Sequence, residues 1–399
     1  MIVWLAAVAI AGATVFTGEG EPLEKATLLI EGTRIRAIGR NLVVPAGVEL
    51  IDARGAVVTP GLIDAASRLG LEEVATEITS IEAVADPAFE KVAAALRAAD
   101  GFEPRSLTLP PARASGITSA VIMPLGGLIS GQSAWVDLVE TEPVRRASLA
   151  LHVNIGADGG SGDQPGRPGA RALGFLRLRE LFDDARLYRG NRGPYLSRRL
   201  RDLSASAADL DVLAHVLAGE LPVVFHVDRS ADILRVLELV GRERLRAVLA
   251  GAAEGWLVAE QIADAGVPVI VDALDNLPAS FDKLRVRDDN PALLHAAGVR
   301  VALSGLGEAH HAHRLRHIAG NAIARGLPRA AAIAAITRIP AEIFDVRDAG
   351  VLRAGALANL VIWNGDPLEL STWPTHVFVR GWEVDLETRQ DKLTRRYLR

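Results

Sequence analysis

The chain has 399 residues, of which 49% are hydrophobic and 23% charged, with a formal net charge of −5. That composition suits a globular protein with a large buried core, and a net negative field gives nucleic acid no electrostatic footing. Cysteine is absent, which excludes disulfides, thiolate metal sites and cysteine nucleophiles.

The first 16 residues are apolar and carry no charged side chain. They are shorter than the roughly 20 residues of a membrane span and lack the basic start of a secretory signal, so no span is expected. Residues 8–16 alternate as a first strand leading into the turn Thr17-Gly18-Glu19-Gly20. Cytoplasm is then the default location. The alternative reads residues 1–7 as the remnant of an export signal, which would place the protein in the periplasm. Strands at 26–31 and 34–38 flank a hairpin turn at Gly32-Thr33, and 57–63 is an apolar run interrupted by Pro60-Gly61.

Beyond this point short apolar runs alternate with longer amphipathic stretches. Strands are predicted at 118–123, 134–138, 149–154, 222–227, 246–250, 268–272 and 300–304, and 57–63 makes the eighth. Nearly continuous apolar runs suit parallel strands covered on both faces. Helical patterns at 231–240, 255–265 and 291–297 separate the later ones. This rhythm predicts an α/β protein built on one (β/α)₈ barrel of the TIM type. Strand rhythm returns after Gly350, at 359–363 and 376–379, with a turn at Arg380-Gly381. These strands need a sheet to join, and the N-terminal ones offer it. Residues 1–58 and 350–399 are therefore expected to form one small β-sandwich domain, and 59–349 the barrel. Two long segments, 71–110 and 156–170, are expected to cover the barrel mouth. The second holds six glycines and two prolines and reads as a mobile loop.

Several passages resemble the amidohydrolase superfamily. Thr59-Pro60-Gly61-Leu62-Ile63-Asp64 is similar to the strand that opens its barrel, and Ile30-Glu31-Gly32-Thr33-Arg34-Ile35 to its N-terminal hairpin. Gly116-Ile117-Thr118-Ser119-Ala120 and Gly131-Gln132-Ser133-Ala134 resemble segments of the imidazolonepropionase-like branch. Ile336-Thr337, Pro340-Ala341, the run from Gly350 to Gly355, and Ala358-Asn359-Leu360-Val361 resemble the closing sandwich. The resemblance implies hydrolysis of C–N bonds by a zinc centre. Its ligands would be a His-x-His pair on the first strand, histidines on the fifth and sixth, and an aspartate on the eighth. A carboxylated lysine or a glutamate on the fourth strand often bridges two metals, and the bound metal lowers the pKa of water.

This chain departs from that pattern. The His-x-His slot reads Ala66-Ser67-Arg68, the sixth-strand histidine becomes Gly251 beside Glu254, and the eighth-strand aspartate falls at Leu306. His226 keeps the fifth-strand position. A catalytic zinc needs three protein ligands, so no cofactor is expected here although zinc serves the family. Candidate catalytic groups are His226, Asp64 and Asp272. Ala66, Arg68, His152, Gly251, Glu254 and Leu306 are expected to line the pocket.

Each candidate also has a purely structural explanation. His226 and His152 can be hydrogen-bonded core histidines, and the carboxylates can cap helices or pair with arginine. Arg68 in particular needs a carboxylate if buried, and Asp64, Glu254 and Asp272 are its expected partners. His310, His311, His313 and His317 resemble a metal box but also suit a solvated helix start, and the arginines of 177–201 a solvated helix pair. The Gly-rich run 126–131 reads as a tight loop at the barrel top.

Three functions fit. One is a weakened or non-catalytic amidohydrolase-like protein acting as a binding module or as partner of an active paralogue. The second is a C–N hydrolase with an unusual site that includes His226, and the third a metal-free acid–base enzyme. A small-molecule ligand is expected, as is assembly into a homo-oligomer or a hetero-oligomer with a related amidohydrolase.

Overall fold

A computed structural model describes residues 7–84, 92–156, 171–197 and 199–398. Residues 1–6 of the expected signal remnant (1–7) and 157–170 of the expected mobile loop (156–170) lie outside the described residues. Among the described residues sixteen strands form two sheets of eight. The N-terminal strands are β1 (Ala7–Val15), β2 (Leu23–Glu31), β3 (Arg34–Gly39), β4 (Glu49–Asp52) and β5 (Val57–Pro60). The barrel strands are β6 (Leu62–Ser67), β7 (Ile117–Ile122), β8 (Ile129–Asp137), β9 (Val144–Asn154), β10 (Val223–Val227), β11 (Ala247–Gly251), β12 (Val269–Val271) and β13 (Val301–Leu303). β14 (Leu360–Trp363), β15 (Pro374–Val379) and β16 (Trp382–Glu383) follow.

The two ends of the chain share the first sheet, in the order β16-β15-β14-β5-β1-β2-β3, with β4 on β1 as a fork. The seam is the antiparallel pair β5–β14, with Pro60 opposite Leu360 and Val57 opposite Trp363. Period-2 alternation sends Leu360 and Ile362 into this sheet's own core with Ile10, Leu28 and Phe378, while Val361 and Trp363 pack toward the barrel. The run 57–63 is therefore two strands in two sheets, broken at Gly61. A Cβ at Gly61 would lie 2.1 Å from Thr118 Oγ1, so only glycine lets the chain cross there.

The eight barrel strands are ordered consecutively from β6 to β13. Their direction departs from the all-parallel expectation. β8 runs antiparallel to both β7 and β9, whereas β6–β7 and β9 through β13 pair in parallel. The reason lies in chain length: the connections 123–128 and 138–143 have six residues each. A parallel crossover needs a dozen or more.

Alternation also divides the strand side chains between two cores. Val224, Ala250, Ile270 and Ala302 point into the barrel, which Ala341, Ile343 and Phe344 plug from below. Val223, Phe225, Leu249 and Val269 point outward beneath the helices. On β10 this pattern sends the next inward position, His226, to the mouth. The segment expected to cover the mouth packs on β8, where Gln132 Nε2 donates to Ala94 O at 2.9 Å.

Candidate functional site at the barrel mouth

The floor of the mouth is a pair of histidines. His152 on β9 and His226 on β10 lie side by side on neighbouring strands, not facing each other across the barrel. His152 Nδ1 and His226 Nε2 are 2.8 Å apart, one nitrogen donating and the other accepting. Burial pushes His226 down to about 4 and His152 well below its usual range, the latter helped by the neighbouring ring. Both are therefore neutral near pH 7. His152 Nε2 is buried without a partner. An orphan lone pair costs less than an orphan N–H, which favours His152 Nδ1–H donating to His226.

Asp64 on β6 is buried, which lifts its carboxyl to about 6 against the pull of its hydrogen bonds. Ser304 Oγ lies 2.5 Å from Asp64 Oδ1 and 2.9 Å from Ala66 O. A hydroxyl has one proton, so a protonated Asp64 donating to Ser304, which donates onward to Ala66 O, satisfies every group.

Arg68 reaches none of its three expected partners. Its guanidinium donates to Glu72 Oε2 at 2.7 Å, and Glu72 Oε1 accepts from the Ala309 backbone N–H at 3.1 Å. The pair closes the β6 loop against the segment after β13. Glu254 likewise serves the fold: Oε2 accepts from Ser230 N and Oγ, and Oε1 from Arg285 N. It caps the helix Ser230–Glu243 and fixes the loop after β12. Ala66 is buried and apolar within the barrel.

Gly251 has φ +90°, and a Cβ there would lie 2.5 Å from Asp228 Oδ1. The space that a sixth-strand imidazole would need is thus taken by Asp228, two residues beyond His226. Asp228 accepts from Ala253 N at 3.2 Å, and Lys283 Nζ sits 3.5 Å from its Oδ2 and 2.5 Å from Asp275 Oδ2. Burial raises the Asp228 carboxyl against Lys283, and the carboxylates raise the lysine despite its burial.

Asp272, just past β12, opens onto a cavity of about 390 Å³ shared with Asp275, Lys283, Leu306, His311 and Arg314. Leu274 N donates to its Oδ1 at 2.8 Å. Burial, with Asp275 and Asp64 adding to it, raises Asp272 to about 6. Leu306 holds the left-handed φ of +47° and offers the cavity only apolar atoms. Arg314 forms no ion pair among the described residues.

Asp228, Asp275, Lys283 and Arg314 were not expected from the sequence. Asp228 had a signal, its position in register with an inward histidine, but Lys283 and Arg314 lie in loops without periodicity. Among the described residues, Glu308, His310 and His311 alone bring three metal-ligating atoms within 4.8 Å of one another. Asp64, Asp272, His152 and His226 do not.

With this geometry in view, the fold has clear relatives. An amidohydrolase from Thermotoga maritima superposes with a TM-score of 0.86 at 23% identity, covering 95% of this chain and 99% of that one. An atrazine chlorohydrolase from Arthrobacter aurescens, solved with zinc and atraton, superposes at 0.54 with 18% identity over 97% and 98%. The chain shares the architecture of these two structures, a TIM-type barrel beside a β-rich domain. A dihydroorotase from Geobacter sulfurreducens is 32% identical over 110 residues, which span only 25% of that relative and 26% of this chain. No family model matches the sequence. No helix among the described residues is long and apolar enough to cross a membrane.

Proposed function

We propose that this is an amidohydrolase-superfamily protein of the imidazolonepropionase-like branch that binds a small polar molecule at the barrel mouth without a divalent metal at its centre. It acts as a binding module or as the partner of an active paralogue. Residues 1–58 with 350–399 form its β-rich domain and 59–349 its barrel. The branch rests on the segments at 116–120 and 131–134. The observation that carries the reading is the Lys283 ammonium held between Asp228 and Asp275, with Asp228 standing where a sixth-strand ligand would reach. The ammonium already occupies the two carboxylates that would otherwise be free for an ion, and Ala66, Gly251 and Leu306 supply no donor. Four residues on the cavity then divide the recognition. Lys283 and Arg314 offer charge to an anionic end, and Asp272 and Asp275 accept from a polar N–H end. Tag-free protein is tested by elemental analysis and by turnover and thermal-shift assays with dihydroorotate and a panel of small carboxylates and amides. The expected result is no zinc sensitive to His226→Ala, no zinc-dependent hydrolysis, and a stabilising ligand lost on Lys283→Met. Hydrolysis of dihydroorotate that needs zinc and His226 would overturn the proposal.

A second reading, metal-free acid–base catalysis, draws on Asp272. A carboxyl held at about 6 and open to a cavity is poised to exchange protons near neutrality. Turnover with a pH midpoint near that value, abolished by Asp272→Asn, would favour it over simple binding.

A further inference from the structure

We infer that Glu308, His310 and His311 form a binding site for a zinc-class divalent ion on the rim of the mouth, apart from the barrel centre. The three sit where β13 gives way to the turn of helix Ala309–Arg314. The backbone between them is fixed. Ala309 and Ala312 are buried, and the Ala309 N–H is held by Glu72, itself held by Arg68. With those alanines turned inward, His310 and His311 are forced toward the surface, and Glu308 enters in an extended conformation (φ −63°, ψ 144°).

Both imidazoles converge on one carboxylate oxygen. His310 Nε2 lies 3.3 Å and His311 Nδ1 3.8 Å from Glu308 Oε2, with the ring centroids 4.1 Å apart. Ligand atoms on a tetrahedral zinc, each roughly 2.0–2.2 Å from the ion, stand about 3.3 Å from one another. The present spread, within 4.8 Å, closes by side-chain rotation on a fixed backbone. His313 stays outside the set, its ring nitrogens not being among the atoms that lie within 4.8 Å of one another; its Nδ1 donates to His310 O at 2.7 Å. Two imidazoles and one carboxylate suit zinc and leave a fourth position for water, whereas magnesium and calcium prefer all-oxygen shells.

His311 also borders the mouth cavity, whereas Glu308 and His310 do not, so the variants below keep this site apart from the mouth-ligand reading. Tag-free, chelator-treated full-length protein is titrated at pH 7.5 with zinc chloride, and separately with magnesium chloride, by calorimetry. One equivalent of zinc and no magnesium uptake are expected. His310→Ala and His311→Ala should each weaken zinc binding at least about tenfold, a loss typical of disturbed metal sites, and Glu308→Gln should weaken it too. His226→Ala should leave it unchanged. Unchanged melting temperatures of the metal-free variants would show that exposed side chains, not the fold, were altered. Retention of wild-type affinity in the His310→Ala/His311→Ala double variant would overturn the site, as would the absence of saturable uptake. Loss of zinc on His226→Ala would overturn both this site and the metal-free barrel centre.

Discussion

Asp64 and Asp272 are both raised to about 6 by burial, yet they sit in opposite circumstances. Asp64 belongs to a buried set on the floor side, where the Ser304 hydroxyl lies between its carboxyl and Ala66 O. Asp272 has one oxygen held by Leu274 N and faces a cavity. A raised carboxyl therefore reports desolvation, and only an unused valence facing open space makes it a candidate for chemistry.

That contrast can be broken most forcefully at Arg68. Removing it strands Glu72, whose side chain is 1% exposed. Arg68→Ala should destabilise the fold by about 3 kcal/mol or more, read as a shift in urea midpoint. A loss below about 1 kcal/mol would mean that Glu72 does not depend on its partner.

Asp64→Asn sharpens the comparison through pH. Because Asp64 titrates at about 6 when folded, the folded chain keeps a proton that the unfolded chain releases from about pH 4. Stability is lost as pH rises through that window, and the loss is complete above the folded value. Asn carries no such proton. Relative to wild type, Asp64→Asn should gain about 2–3 kcal/mol between pH 4 and pH 7. His226, held down to about 4, acts in the opposite sense over the same range but cancels in the difference. A flat difference would show that Asp64 is not desolvated.

Gly251→Ala combines a left-handed φ with a clash on Asp228 and should cost about 2 kcal/mol in denaturant melts. Near-neutral behaviour would mean that Asp228 yields easily and that the old ligand slot is open. The smallest stability effect belongs to the rim. Arg314→Ala should change stability by no more than about 0.5 kcal/mol, as for a surface residue with no ion pair among the described residues. The same variant should lower thermal-shift responses to small carboxylates.

Much of this molecule was legible as pattern. Consecutive barrel strands and a sheet shared by the two chain ends follow from period-2 alternation and from the return of strand rhythm after Gly350. The direction of β8 was misread because apolar periodicity carries no sign, and the expected strand bounds made its flanking connections longer than the six residues they have. His226 and His152 meet as neighbours on β10 and β9, a contact set by strand order and register that the spacing of the two residues in the sequence does not give. Arg68 found Glu72, four residues away, in place of the carboxylates sought across the barrel. Lys283 and Arg314 emerge only once loops fold back over the mouth, which no local pattern encodes.

The reversed β8 also bears on how the chain assembles. β7, β8 and β9 form a meander within residues 117–154, so their pairing closes short loops at low entropic cost. Pairing β9 with β10 must instead bring together segments separated by residues 155–222, and closing β13 against β6 spans most of the barrel sequence. Early structure should therefore gather in the meander, with the parallel half condensing onto it later. In pulse-labelled hydrogen exchange during refolding, amides of Val121, Trp135 and Leu151 should gain protection before those of Leu249, Ile270 and Ala302.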